Sequence, residues 1–583
     1  MPKKLLEFRA NDMSLGLNLQ SDRRLELGEI DSGRSARYER GSAIFTGPGF
    51  RESATPTASV RIDSMIEATV FPAIWIKNGT TVQYSTDAVT FYSSGATVTD
   101  DTRTWVKQDG DGNLFLINQT DNPHRFPVSK LATALSASDA TIDLGDSAQV
   151  AKFSTTNPQT VRINGTAYTY TGTSGATLTG VQEGGGAVTT AQSVDSLVVQ
   201  QLSGGTELST FTEEKGNVMM ELESRLIVGG VKDKEHIAYY SAAATLANPE
   251  FFWDFDANGA SQKYMPGKIT GMISGLGKGY IFNQKEVHQA AGFDTATSGL
   301  LTSPISSTYG CYNPRCVVDM DGVIAFMGQR RLIPITLQLT PDASAAPFLG
   351  EDFDSRIRPW LESHDDSTNQ GDAFLKWDSA QKILKIGAVV GGALQTYVYD
   401  AQAKAFAPAE NRSVASSTMF LGNSYFGHRD NGKIYQDDIG RTNDGVPIAH
   451  RWSTGRIEHD KGRKHMQAYK FEMEGWMTEA SEFTWRVFID GSSAAAVTKE
   501  FDDDVIVSTQ GTALGVRGVG VNTIGLPEGI VEAYPFRANI ILRGLEGEDY
   551  KFEWEVTKDG SFVQLNNWFF SAYDIKIPPH KYE

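Results

Sequence analysis

The chain has 583 residues, room for several domains with sizeable cores. Hydrophobics make up 40% and aromatics 10%, with 57 glycines, a mix that suits many short strands joined by tight turns and argues against a helical protein. A net charge of −18 argues against a conventional basic face that grips nucleic acid, and two cysteines, Cys311 and Cys316, exclude a disulfide scaffold and are too few for a zinc site.

The opening Met1-Pro2-Lys3-Lys4-Leu5-Leu6-Glu7 lacks the apolar stretch of a secretory leader, and no run approaches the roughly 18 apolar residues of a membrane span. A soluble protein made in the cytoplasm is the expectation. Residues 1–60 read as an irregular N-terminal arm with turns at 15–18 and 47–50. Arg23, Arg24, Arg34, Arg37 and Arg40 make it the most basic part of the chain. Either it crosses the surface as a solvated arm, or those five arginines dock on an acidic neighbouring subunit.

Strands begin in 61–128. The run Ala73-Ile74-Trp75-Ile76-Lys77 leads to Asn78-Gly79, a hairpin signal, and Leu114-Phe115-Leu116-Ile117 ends in a turn at Asp121-Asn122-Pro123. Residues 129–202 differ: only eight charges stand among 74 residues, and Thr, Ser, Ala and Gly dominate. The segment still alternates around Asn164-Gly165 and reads as an inserted small β-domain.

Hairpins resume across 203–452. Apolar runs start near 225, 279, 322, 383 and 419, and with those at 73 and 114 they make seven. Once the insert is set aside, the spacing is irregular around the roughly 40–50 residues of a four-stranded propeller blade. The expected fold is mostly β: an irregular β-propeller over 61–128 and 203–452, with a β-sandwich array as the alternative. Within the stretch 421–452, residues 421–439 read as the last unit, with a type I′ turn expected at Asn431-Gly432, and a second turn follows at Asn443-Asp444-Gly445. A short helix is expected near 354–363, where Ile357, Trp360 and Leu361 share a face. Residues 453–583 change character. Tyr469-Phe471-Met473, Phe483-Trp485-Val487 and Tyr550-Phe552-Trp554-Val556 alternate with polar residues, as in a half-buried antiparallel sheet, which predicts a separate C-terminal β-domain. The acidic run 500–504 reads as a solvated loop, with calcium binding as the minor alternative.

Catalytic signatures are sparse. The nine histidines are scattered and form no paired-ligand spacing. Gly275-Leu276-Gly277-Lys278-Gly279 lacks phosphate-loop spacing, and His428-Arg429-Asp430 stands without the rest of a kinase set. The pairs Asp437-Asp438 and Asp319/Asp321 could serve glycoside cleavage, which keeps a carbohydrate-active propeller enzyme open. No cofactor or metal is expected.

Several segments follow in a telling order: Asp121-Asn122-Pro123 with Arg125, RLIVGG from Arg225, YYS from Tyr239 with NPEFF after it, DGVIAFMG from Asp321, TYVYD from Thr396, and FGHRDNGKIYQDD with NDGVPIAHRW from Phe426. Over about residues 60–460 this pattern resembles the tail nozzle proteins of short-tailed bacteriophages, the tail tubular protein B type. The resemblance implies a non-enzymatic virion protein built on a β-propeller. It would form a hexameric ring that closes the distal end of the tail channel beneath an adaptor ring and carries tail fibres or spikes. It would meet the host envelope at ejection, with phage DNA passing through unbound along an acidic, repulsive lining. A receptor-binding tail-tip protein of a long-tailed phage is the other non-enzymatic alternative.

Overall fold

A computed structural model describes residues 4–575 except 11–15, 18–28, 40–42, 57–59, 100–103, 155–158, 204–214, 245–259, 296, 298, 340–344, 351–352, 366–371, 410–411, 441, 459–464, 479–480, 503–533 and 559–560. Apolar runs and period-two alternation lead to the same outcome along the whole chain: mostly β structure in many sheets, nearly all antiparallel.

Seven of these sheets share a four-stranded, up-and-down core and follow one another in sequence. They occupy residues 62–97, 105–126 with 202–203, 218–264, 269–306, 317–349, 374–408, and 414–437 with 50–54. The apolar runs noted at 73, 114, 225, 279, 322 and 383 are the second strands of the first six: Ala73–Asn78, Leu114–Ile117, Arg225–Gly229, Lys278–Asn283, Ile324–Gly328 and Ile383–Val390. A second strand has a partner on each edge and a neighbouring sheet over each face, so it reads as a continuous apolar run. The seventh run, at 419, straddles the turn between Val414–Phe420 and Asn423–His428.

The first strands pack on one another in sheet order. Ile62–Ala68 lies against Trp105–Gln108, followed by Val218–Leu222, Ile269–Gly275, Val317–Asp319, Phe374–Asp378 and Val414–Phe420, and this last strand lies against Ile62–Ala68. The Ser416 hydroxyl donates to the Ile62 carbonyl at 2.6 Å across that final contact. Gly427 is required beside it, because a Cβ there would run into the Ile62 side chain. The seventh sheet takes its fourth strand from the other end of the chain: Phe50–Ala54 pairs antiparallel with Ile434–Asp437.

The turns correct part of the sequence reading. Asn164-Gly165 is a two-residue turn with both φ positive (48° and 81°), as expected. Asp444-Gly445 is another, at 54° and 83°. Asn78 instead pairs with Thr81, so Gly79-Thr80 makes that turn. Asn431-Gly432 sits in a longer loop in which only Gly432 has positive φ, and the Asn431 side chain accepts from the Lys433 N–H at 3.0 Å. The tight turn of that unit is Leu421-Gly422, at 48° and 80°. Leu276-Gly277 is likewise a hairpin turn.

Among the described residues, the strands of 128–200 pair only among themselves, in a five-stranded and a three-stranded sheet around a core that includes Tyr168, Tyr170 and Leu178. The helix Arg358–Glu362 buries Trp360 and Leu361 beside a buried Ile357, as expected. Two further seven-stranded sheets, built from strands within 5–46 and 450–575 together, face each other. Phe471 on His465–Met477 meets Phe552 on Asp549–Val556 at 4.4 Å and Trp485 on Glu482–Ile489 at 4.8 Å. Strict alternation puts these rings on the inner faces, where each favourable ring pair adds about 0.5–1.5 kcal/mol beyond its burial. Glu500 and Asp502 lie in the strand Val497–Asp502, not in a loop; Asp503 and Asp504 fall outside the described residues.

The N-terminal segment is not an irregular arm. Leu5–Ala10 pairs with Val563–Ile575, Glu29–Arg34 with His450–Thr454, and Ala36–Glu39 with Ala43–Thr46 in the same sheet as Leu5–Ala10. Gly16–Leu17, expected in a turn, is a short strand parallel to Glu29–Arg34. The cause is backbone pairing: short strands rich in polar residues gain their order from the edges of larger sheets rather than from a face of their own.

Candidate functional site

First strands of the repeated sheets border a half-open cavity of about 440 Å³. Residues from the first, second, third, fifth, sixth and seventh sheets line it, on the strands or on the residues that lead into them. Its apolar wall includes Met65, Trp105, Val317 and Phe374; its polar wall includes Asp63, Asn217, Arg315, Lys376 and Ser416. That volume and mixed lining fall in the range of small-molecule pockets, roughly 300–1,000 Å³.

At one side the charges are already matched. Asp63 holds the buried Lys77 ammonium at 2.6 Å and the Arg61 guanidinium at 3.0 Å. Arg61 also reaches Asp372 at 3.7 Å, and Arg429 holds Asp372 at 3.0 Å. Arg315 donates to the Ala415 carbonyl, linking the fifth sheet to the seventh.

Lys376 is different. It projects from Phe374–Asp378 directly opposite Lys385 on the neighbouring strand. Among the described residues it makes no hydrogen bond or ion pair. Burial, then repulsion from Lys385, push its amine down to about 8, against smaller opposing pulls from Asp378 and Glu67. Burial raises the Glu67 carboxyl, opposed by a backbone donor at Leu421 and by Lys376.

Beside the cavity, Lys385, Arg412 and Arg37 converge on Asp437 and Asp438. Lys385 lies 2.5 Å from each carboxylate, Arg412 is 2.7 Å from Asp437, and Arg37 is 2.8 Å from Asp438. Burial disfavours the Asp438 charge, but Lys385, Arg37 and Arg412 outweigh it and hold the carboxyl far below its ordinary range. Asp437 and Asp438, considered above as glycoside-cleaving acids, are buried and contacted by cations. Asp319 accepts from the Gly322 N–H, and the exposed Asp321 pairs with Lys382 at 2.6 Å.

The five arginines of the N-terminal segment separate. Arg37 is buried and pairs with Asp438 of its own chain, so it does not face a neighbouring subunit. Arg34 ends a strand paired with Arg451. Arg23, Arg24 and Arg40 lie outside the described residues. Three lysines left a signal in the sequence: Lys77 in AIWIKN and Lys385 in ILKIG, both buried, and Lys376 in FLKWD, half-buried, each interrupt an apolar strand. A lysine in such a run needs a buried partner or a cavity. Cys311 and Cys316 are both buried and form no disulfide, and burial pushes the Cys311 thiol up, which makes it unreactive.

No protein-family model matches the chain, and no curated protein matches it.

Proposed function

We propose that the chain is a structural subunit of a bacteriophage tail: a nozzle-ring protein whose seven repeated sheets are the blades of an irregular β-propeller. The observation that carries the propeller reading is the order of first-strand contacts, which runs from sheet to sheet and returns from the seventh to the first. The strand Phe50–Ala54 completes the last sheet, as a ring of blades needs if its ends are to be joined. The 128–200 sheets and the two aromatic-packed C-terminal sheets then stand as attachments suited to contacts with other tail components. The phage assignment comes from the ordered segments described in the sequence, and the charge of −18 fits a wall that DNA slides past without being held.

On this reading the chain assembles as a homohexamer in the host cytoplasm and works in the virion. Its partners are an adaptor ring and fibres or spikes, with DNA passing through its channel towards the host envelope. The test is sedimentation of the purified chain, alone and with a tail extract, alongside incubation with surface polysaccharides. A six-chain species that leaves the polysaccharides intact supports the reading. A monomer at every concentration that depolymerises them overturns it in favour of the carbohydrate-active alternative.

A further inference from the structure

We infer that the cavity between the first strands is a binding site for a small organic anion with an apolar body, such as an aromatic carboxylate, and that Lys376 is the residue that recognises its charge. This goes beyond the tail reading and does not depend on it.

Three observations converge. The first is space: about 440 Å³ bordered by residues of six sheets accommodates a compact two-ring molecule. The second is the apolar wall, where Trp105 and Phe374 offer aromatic surface and Met65 and Val317 offer aliphatic surface. The third is the state of the charges. Asp63, the acid in the lining, is already held by Lys77 and Arg61. Lys376 has three donors and no hydrogen-bonded acceptor among the described residues. The groups whose charge it feels are Glu67, Asp378 and Lys385, and Lys385 is held 2.5 Å from both Asp437 and Asp438. Inside a protein of net charge −18, the cavity therefore presents a cation that lacks a counter-ion in contact. Placing a carboxylate there would give those donors an acceptor of matching charge.

Burial alone would also leave Lys376 ready to lose its proton, so the site has a built-in pH dependence. With the amine down at about 8, the protonated form that an anion requires is the major one at pH 7 and declines above pH 8. A bound carboxylate would hold the proton on and move that decline upward.

The test is calorimetric titration of the full chain with naphthalene-2-carboxylate and with its neutral amide. Binding of the carboxylate at pH 7 in preference to the amide by roughly tenfold or more is expected, since a charge-assisted bond is worth about that much. Lys376→Met should abolish the preference while still binding the amide, and Lys376→Arg should retain part of it. Raising the pH to about 10 should weaken carboxylate binding and leave amide binding unchanged. Equal affinity for the two probes in the unaltered protein, an unchanged preference in Lys376→Met, or failure of the folded protein to bind either probe at millimolar concentration would each overturn the proposal.

Discussion

Asp438 lies within 2.8 Å of two cations, Lys385 and Arg37, and is buried with them. Removing one member of such a cluster leaves the others uncompensated, which costs about 3–5 kcal/mol. Asp438→Asn should therefore lower the denaturant midpoint strongly at unchanged slope. Because the carboxyl is held far below its ordinary range, its contribution is present above the unfolded-state pKa and is lost only as pH falls towards the depressed folded value. Lys376 has the opposite sign. Its amine is held at about 8 against an ordinary 10.5. Below pH 8 it is charged in both states and the fold carries the cost. Between pH 8 and 10.5 the folded chain releases the proton while the unfolded chain keeps it, so stability rises with pH. Lys376→Met should stabilise the protein at pH 7 by on the order of 1–2 kcal/mol, discounted for partial exposure, and the gain should shrink towards pH 10.5 in melting experiments.

Single elements join parts of the chain that are far apart in sequence. The strand Phe50–Ala54 is held by backbone pairing to Ile434–Asp437, by Phe50 rings 5.3 Å from Phe426 and 5.0 Å from Tyr435, and by the Arg412 guanidinium over the Phe50 ring. Phe50→Ala should cost about 2–4 kcal/mol, below a fully buried aromatic because Phe50 is only partly covered. Native-state hydrogen exchange should then show the seventh sheet opening before the other six; uniform loosening would argue against a closing role for this strand. The element scale is also where sequence legibility divides. Second strands such as Ile383–Val390 and the long C-terminal strands were readable, because full burial and strict alternation leave direct imprints. The pairing of Phe50–Ala54 with a strand some 380 residues later was not, since a short strand records nothing about its partner. Turn positions were only partly readable. Glu223-Ser224, Gln329-Arg330 and Leu421-Gly422 adopt the positive-φ pair that Asn-Gly was expected to mark, because flanking register fixes where a hairpin must turn and can impose αL on ordinary residues. The cavity was the least readable, since its lining is gathered from six separate sheets and only Lys376, interrupting an apolar strand, hints at it.

For the whole molecule, the account rests on seven sheets arranged about one axis and on copies of that unit forming a ring. Arg37 is committed within its own chain, so the proposed docking through the basic N-terminal segment would rest on Arg23, Arg24, Arg34 and Arg40. Replacing those four by Ala should weaken ring assembly in sedimentation while the melting temperature holds; unchanged assembly would remove the segment from the interface. The most direct measurement of the central claim is single-particle cryo-electron microscopy of the purified full-length chain. A six-fold ring around an open channel is expected, each subunit showing a seven-bladed disc with the Phe50–Ala54 strand in its last blade. A particle in which the seven sheets are stacked as a linear array, or in which discs remain single without a common channel, would contradict it.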